Sequence, residues 1–164
     1  MFGQSTSFRM KRTWAQKRIE EKSIVLVVDD YRSLARALEK HLGPVVDQVY
    51  TAGSAWEAQY ILDSVPVSHL LCDLNITVED DSPLMSALRL PNFDQRGNQL
   101  GFELAPQWRK KHSSIKKVVV YTGGDLDGLS KPNGVDALVC KTDIDDVIEA
   151  LLHSVEVTPS RSKK

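Results

Sequence analysis

This sequence of 164 residues has no long apolar run, few cysteines and little net charge. It contains no run of 18 apolar residues, so we expect no membrane span and no membrane partner. The N-terminus lacks the apolar core of a secretory signal, which favours a cytoplasmic protein. The two cysteines, Cys72 and Cys140, do not form a zinc-site pattern, and a disulfide is not expected in a reducing compartment.

The net charge of −1 conceals an uneven distribution along the chain. Residues 1–22 carry six Lys/Arg against two Glu, residues 155–164 carry three against one, and the segment between them has a charge of −7. An acidic body of this kind is not typical of nucleic-acid-binding domains. We interpret 1–22 as a basic N-terminal extension, either a frayed arm or a docking helix, and 155–164 as a C-terminal tail. The length leaves one domain over 23–154.

Five short apolar runs alternate with helical patterns. Pro106 lies within the third helical pattern, so that helix either starts near the proline or kinks. The segment 125–134 is poor in apolar residues, and any helix there is expected to be about one turn long. This alternation predicts an α/β fold, a doubly wound parallel sheet with helices on both faces. Strands are predicted at 24–28, 45–51, 68–73, 117–122 and 136–141, and helices at 33–42, 54–62, 101–112 and 143–154.

Polar side chains stand where four of these strands end: Asp29 and Asp30, then Asp73, Thr122 and Lys141. The carboxyl ends of parallel strands meet at one edge of a sheet, so we expect these side chains to converge. Two carboxylates about 4 Å apart repel each other by roughly 4 kcal/mol at an effective dielectric of about 20, so the cluster needs a cation. Oxygen ligands suit Mg²⁺, and the lysine and the hydroxyl would face an anion that the metal also contacts. The set predicts a phosphoryl-transfer site.

At these positions the sequence resembles the receiver domains of two-component response regulators. Any one of the matching motifs is weak, but five in order at strand ends are specific. The resemblance covers about 23–154 and implies the flavodoxin-like (βα)5 fold with strand order 2-1-3-4-5. The matching pieces are Val-Val-Asp-Asp at 27–30, Leu-Cys-Asp-Leu-Asn at 71–75, Leu-Gly-Phe-Glu-Leu at 100–104, Val-Tyr-Thr-Gly at 120–123 and Val-Cys-Lys at 139–141.

The resemblance implies a role for each matched side chain. Asp73 is expected to be the phosphoacceptor, whose carboxylate attacks the phosphorus of a phosphohistidine. Lys141 is expected to pair with the phosphoryl oxygens. Thr122 is expected to turn toward the phosphate and so report that it is bound. The expected Mg²⁺ ligands are Asp29, Asp30, Asp73 and the backbone carbonyl of Asn75.

The sequence departs from the family in the loop after the third strand. About twenty residues are inserted there, within 76–100, and longer loops of this kind cost little closure entropy. The insertion is either a tolerated surface loop or a lid or docking segment. In the second case its acidic run Glu79-Asp80-Asp81 would repel an incoming phosphodonor or cap a neighbouring helix.

Two further departures lie near the end of the domain. Leu138 stands where the family has its aromatic switch residue, and Tyr121, although next to Thr122, points to the other face of its strand. Thr142 replaces the proline that follows Lys141 in the family, so the family's cis peptide is not expected. The output face, including the helix before the last strand, would then be rebuilt.

These features predict a phosphoacceptor receiver of a two-component pathway. Its donor would be a sensor histidine kinase or a histidine phosphotransfer protein. Its output would pass to an unknown protein or through a homodimer, because only ten residues follow Ser154. We expect neither a turnover enzyme nor a nucleic-acid partner. An alternative is an interaction module that keeps the fold but does not depend on phosphorylation. A phosphohydrolase is disfavoured because Asn75 stands where that class has a second aspartate.

Overall fold

The computed structural model describes residues 22–77 and 99–153. Residues 1–21 of the extension, the C-terminal tail, and the insertion from 78 to 98 with its acidic run lie outside the described residues. The described chain forms a parallel sheet in the order β2-β1-β3-β4-β5, which confirms the predicted fold class and strand order. The strands are β1 (Ile24–Val28), β2 (Gln48–Ala52), β3 (His69–Asp73), β4 (Lys117–Thr122) and β5 (Ala137–Cys140), and the helices are α1 (Arg32–Leu42), α2 (Ala55–Ser64), α3 (Leu100–Lys111) and α4 (Ile144–Leu152).

Successive residues of each strand enter two separate hydrophobic cores, one on each face of the sheet. Leu26 and Leu70 pack beneath α2 and α3, where Trp108 is the largest buried side chain. Val27 and Leu71 pack beneath α1 and α4. Because both faces are covered, the three central strands are buried along nearly their whole length, which explains why they read as continuous apolar runs.

Side-chain caps set the start of two helices. The Ser54 hydroxyl accepts a hydrogen bond from the Glu57 N–H at 3.2 Å, and the Glu57 carboxylate accepts one from the Gly53 N–H at 2.7 Å. These two bonds form a capping box whose return bond is displaced to the residue before Ser54. At α4 the Asp143 carboxylate accepts from the N–H groups of Asp145 and Asp146 at 3.0 and 3.2 Å.

One predicted boundary was wrong. The second strand begins at Gln48 because Val45 and Val46 donate to the Leu42 carbonyl, at 2.9 and 3.1 Å, and close the turn after α1. The third helix runs from Leu100 to Lys111, close to the predicted 101–112, and it passes through Pro106 instead of beginning near it. On either side of the proline, the helix packs into the core beneath α2 and α3 through Leu104, Ala105 and Trp108.

The described segment between β4 and β5 contains no helix, as its composition indicated. Hydrogen bonds to Asp136 hold this segment against β4 and α3 instead. The Asp136 Oδ2 accepts hydrogen bonds from the Val118 N–H and from the Arg109 guanidinium, both at 2.8 Å. The helix that the resemblance implies at this place is therefore absent from residues 99–153. None of the helices within 22–77 and 99–153 combines the length and apolar character that a membrane crossing requires.

Two histidines are expected to make the stability of the fold depend on pH. Burial, reinforced by the Lys117 and Lys116 ammonium groups, lowers the pKa of His69 below its ordinary value of 6.5. Burial also lowers the pKa of His112, an effect that the Asp63 carboxylate offsets only in part. Below pH 6.5 the unfolded chain therefore binds protons that the folded chain resists, and the free energy of unfolding should fall between about pH 7.5 and about pH 5.5.

Urea unfolding at the two ends of this pH range measures the loss. The double variant H69Q/H112Q should lose less stability on acidification than the parent. An equal loss in the double variant would assign the pH dependence to other groups.

Candidate functional site

Three aspartates meet at the carboxyl edge of the sheet. Asp29 follows β1, Asp73 ends β3, and the pairing of Val28 with Cys72 makes these strands neighbours. One carboxylate oxygen each from Asp29, Asp30 and Asp73 lies within 4.8 Å of the others. Asp29 and Asp73 are only 1% and 4% exposed, whereas Asp30 is open to solvent. The sheet therefore gathers the three carboxylates that the sequence placed at strand ends.

Lys141 extends from the end of β5 into this cluster. Its Nζ lies 2.8 Å from Asp29 Oδ2 and 2.9 Å from Asp73 Oδ2, and its side chain is 17% exposed. Burial alone would lower the pKa of Lys141, but the hydrogen bonds to both carboxylates outweigh it and raise the pKa. Burial, with the charge of Asp29, raises the pKa of Asp73 against the opposing effect of the lysine. One ammonium thus bridges two of three carboxylates.

The donor set has the chemistry of a divalent-cation site. Three carboxylates face one ammonium, so negative charge remains in excess where the oxygens converge. Hard oxygen ligands at this spacing suit Mg²⁺ or Ca²⁺ rather than softer metals. The acidic cluster therefore fits a divalent metal ion.

Thr122 and Asn75 lie beside the cluster with defined backbone partners. Thr122 is 3% exposed, and its hydroxyl oxygen accepts a hydrogen bond from the Gly124 N–H at 3.2 Å. The Asn75 N–H donates to Asp73 Oδ1 at 3.1 Å, so the turn after β3 holds the carboxylate in place. Every site residue predicted from the sequence thus lies at the carboxyl edge of the sheet.

Tyr121 is a site residue that the sequence reasoning missed. Its ring packs in the core between the sheet and helices α1 and α4, on the opposite face from Thr122, as predicted. Its hydroxyl nevertheless donates to Asp29 Oδ2 at 2.5 Å, and its ring centroid lies 4.6 Å from Lys141 Nζ. Burial and the neighbouring Asp29 charge raise the pKa of Tyr121, which keeps the phenol protonated. The sequence did contain an indication of this contact. Side chains alternate along a strand, so Asp29 lies on the same face of the sheet as Val27.

Gly101 lets helix α3 approach the residues that carry the site. Its N–H donates to the Leu74 carbonyl at 2.9 Å. A Cβ at this position would lie 2.3 Å from the Asp73 carbonyl oxygen and 2.9 Å from the Leu74 Cα. Any side chain here would therefore collide with backbone rather than with a movable side chain.

Leu138 and Thr142, where the sequence departs from the family near Lys141, both have partners close by. Leu138 is half-buried and packs against the core beneath α2 and α3. Thr142 is exposed, and its hydroxyl lies 3.2 Å from Cys140 Sγ. No peptide bond in the described ranges is cis, including the one that precedes Thr142.

A cavity of about 250 Å³ adjoins Asp29 on the side of α1. Arg32 and Arg36, one helical turn apart, line it together with Glu57 and Gly53. The sequence reasoning did not select these arginines, which add positive charge next to the acidic cluster.

Comparison with protein-family models and with curated protein sequences gave no match. Solved structures do match. A response regulator protein from Burkholderia pseudomallei, whose structure holds a phosphorylated aspartic acid, a calcium ion and citrate, is similar with a TM-score of 0.57 and 18% identity. The match covers 79% of this chain and 66% of that protein. The chain has the receiver-domain fold.

Two further receiver domains have the same fold over nearly their whole length. The signal receiver domain of an HD domain-containing protein from Pseudomonas fluorescens Pf-5 has a TM-score of 0.57 at 19% identity, covering 79% of this chain and 90% of that one. A CheY-like receiver domain protein from Methanospirillum hungatei JF-1 has a TM-score of 0.54 at 20% identity, covering 78% and 89%.

Proposed function

We propose that this chain is the phosphoacceptor receiver of a two-component signalling pathway and that it accepts a phosphoryl group on Asp73. One observation carries the proposal. The Asp73 carboxylate lies within 4.8 Å of oxygens from Asp29 and Asp30 and 2.9 Å from the Lys141 ammonium, at the carboxyl edge of a receiver-domain fold. This arrangement combines a nucleophile, a metal-binding pair and a cation for the transferred group.

The reaction is a transfer from nitrogen to oxygen. An Asp73 oxygen attacks the phosphorus of a phosphohistidine and forms a P–O bond, while the P–N bond breaks and its electron pair returns to the imidazole, which takes up a proton. Lys141 moves from Asp73 to the phosphoryl oxygens, and the Thr122 hydroxyl turns from Gly124 to donate to them. Water later hydrolyses the acyl phosphate and releases inorganic phosphate.

The metal site is assigned to the same residues. Asp29, Asp30, Asp73 and the Asn75 backbone carbonyl would hold Mg²⁺. When bound, Mg²⁺ neutralises charge on the phosphoryl oxygens during transfer. Asp29 and Asp73 are buried, so their charges act in a medium of low polarity, while exposed Asp30 leaves a route from solvent.

The donor would be a sensor histidine kinase or a histidine phosphotransfer protein in the cytoplasm. The arginines of the cavity beside Asp29 would attract the anionic phosphoryl group as it approaches. The output would pass through contacts with an unidentified protein or through a homodimer. Because the described chain has no helix between β4 and β5, these contacts would use a surface different from the output face that the resemblance implies.

Treatment with acetyl phosphate and MgCl2, followed by intact-mass measurement and peptide mapping, tests the proposal. We expect a mass gain of one phosphoryl group on Asp73 that requires Mg²⁺ and disappears when EDTA is present. A folded protein without a mass gain would favour the phosphorylation-independent interaction module. Sustained release of phosphate from a simple phosphate ester would instead favour a phosphohydrolase.

A further inference from the structure

Asp29 is completely enclosed by hydrogen-bond donors. Its side chain has no exposed surface. Oδ1 accepts from the Tyr31 N–H at 2.8 Å, and Oδ2 accepts from both the Tyr121 hydroxyl and the Lys141 ammonium. Of the two donors to Oδ2, the phenol is neutral and the ammonium carries a full charge. Water does not reach this oxygen, so the two donors divide its hydrogen-bonding capacity between them.

The Tyr121 ring also supports the second of these donors. The Lys141 ammonium lies 4.6 Å from the ring centroid, within the range of a cation–π contact. One residue therefore contacts both the carboxylate that is expected to bind the metal and the lysine that is expected to bind the phosphoryl group. Packing in the core beneath α1 and α4 fixes the ring in this position.

We propose that Tyr121 is a positioning residue. It orients Asp29 for the metal, and it weakens the ion pair between Lys141 and that carboxylate. The proposal rests on the metal-dependent function above. A neutral donor satisfies buried Oδ2 without adding positive charge to a cation site. Without the phenol, Asp29 Oδ2 depends on the ammonium alone, which is then held more firmly in the cluster and opposes the entry of a second cation. Donors to a metal-binding carboxylate also fix its orientation.

The test is the affinity for Mg²⁺ of the unphosphorylated protein, measured by titration calorimetry with MgCl2. The variant Y121F should bind Mg²⁺ about 10-fold or more weakly than the parent, since residues behind metal ligands typically account for 10- to 100-fold in affinity. The matched control is Y60F, which removes the hydroxyl of a tyrosine that is 71% exposed and should bind as the parent does. Addition of Mg²⁺ should also change the near-ultraviolet tyrosine signal of the parent more than that of Y121F.

A double-mutant cycle tests whether the effect passes through Lys141. In a K141Q background, which lacks the competing ammonium, the further change Y121F should reduce Mg²⁺ affinity much less than it does in the parent. Equal or tighter Mg²⁺ binding by folded Y121F would overturn the proposal. An equal loss in both backgrounds would overturn the part of it that passes through Lys141. A parent that does not bind Mg²⁺ at all would instead overturn the proposed function, so the two failures are distinguishable.

Discussion

Replacement of Asp73 by asparagine is expected to reduce covalent phosphorylation by acetyl phosphate to the background level. The amide has almost the shape of the carboxylate but is a far weaker nucleophile, so the acyl phosphate cannot form. The fold should survive, because an asparagine oxygen can still accept from the Asn75 N–H and one of three crowded carboxylates is removed. Intact-mass measurement after treatment with acetyl phosphate and MgCl2 gives the result directly.

The matched control for this variant is D63N. Asp63 is an exposed carboxylate on α2 whose Oδ1 lies 3.1 Å from Lys111 Nζ, and it is not part of the acidic cluster. This variant should be phosphorylated to the same extent as the parent. Persistent labelling of D73N would show that another carboxylate of the cluster is the nucleophile, and the assignment of Asp73 would be wrong.

Replacement of Gly101 by alanine is expected to destabilise the protein by roughly 2 kcal/mol or more. The added Cβ would lie 2.3 Å from the Asp73 carbonyl oxygen, so either α3 or the end of β3 must shift. Alanine gains about 1 kcal/mol over glycine inside a helix, which offsets only part of this cost. Because the backbone that moves carries Asp73, the rate of phosphorylation should fall as well.

Chemical denaturation of G101A beside G123A measures the steric contribution. A Cβ on Gly123 would meet no atom within 4 Å, so that variant should remain within about 0.5 kcal/mol of the parent. Equal stability of G101A and the parent would mean that α3 moves away from β3 at little cost. In that case the close approach at Gly101 would not contribute to the geometry of the site.

Much of the fold follows from local patterns. The apolar runs of β1, β3 and β4 predicted buried parallel strands, and the helical patterns that alternate with the strands predicted α1, α2, α3 and α4 close to their observed bounds. The acidic residues at strand ends could be placed together because parallel strands share a carboxyl edge. Patterns of this kind do not set the end of an element, so β2 was placed too early, before the turn that Val45 and Val46 close.

The sequence by itself determined the fold class, the strand order that the resemblance implied, and the residue types at the carboxyl edge, because strand periodicity and strand-end polarity are local properties. Only the tertiary structure decided how these side chains meet. It set Lys141 between Asp29 and Asp73, and it turned the Tyr121 hydroxyl toward Asp29. The contacts of Tyr121 and Lys141 with Asp29 join residues 92 and 112 positions apart, and they depend on strand register and side-chain packing that no short stretch of sequence contains.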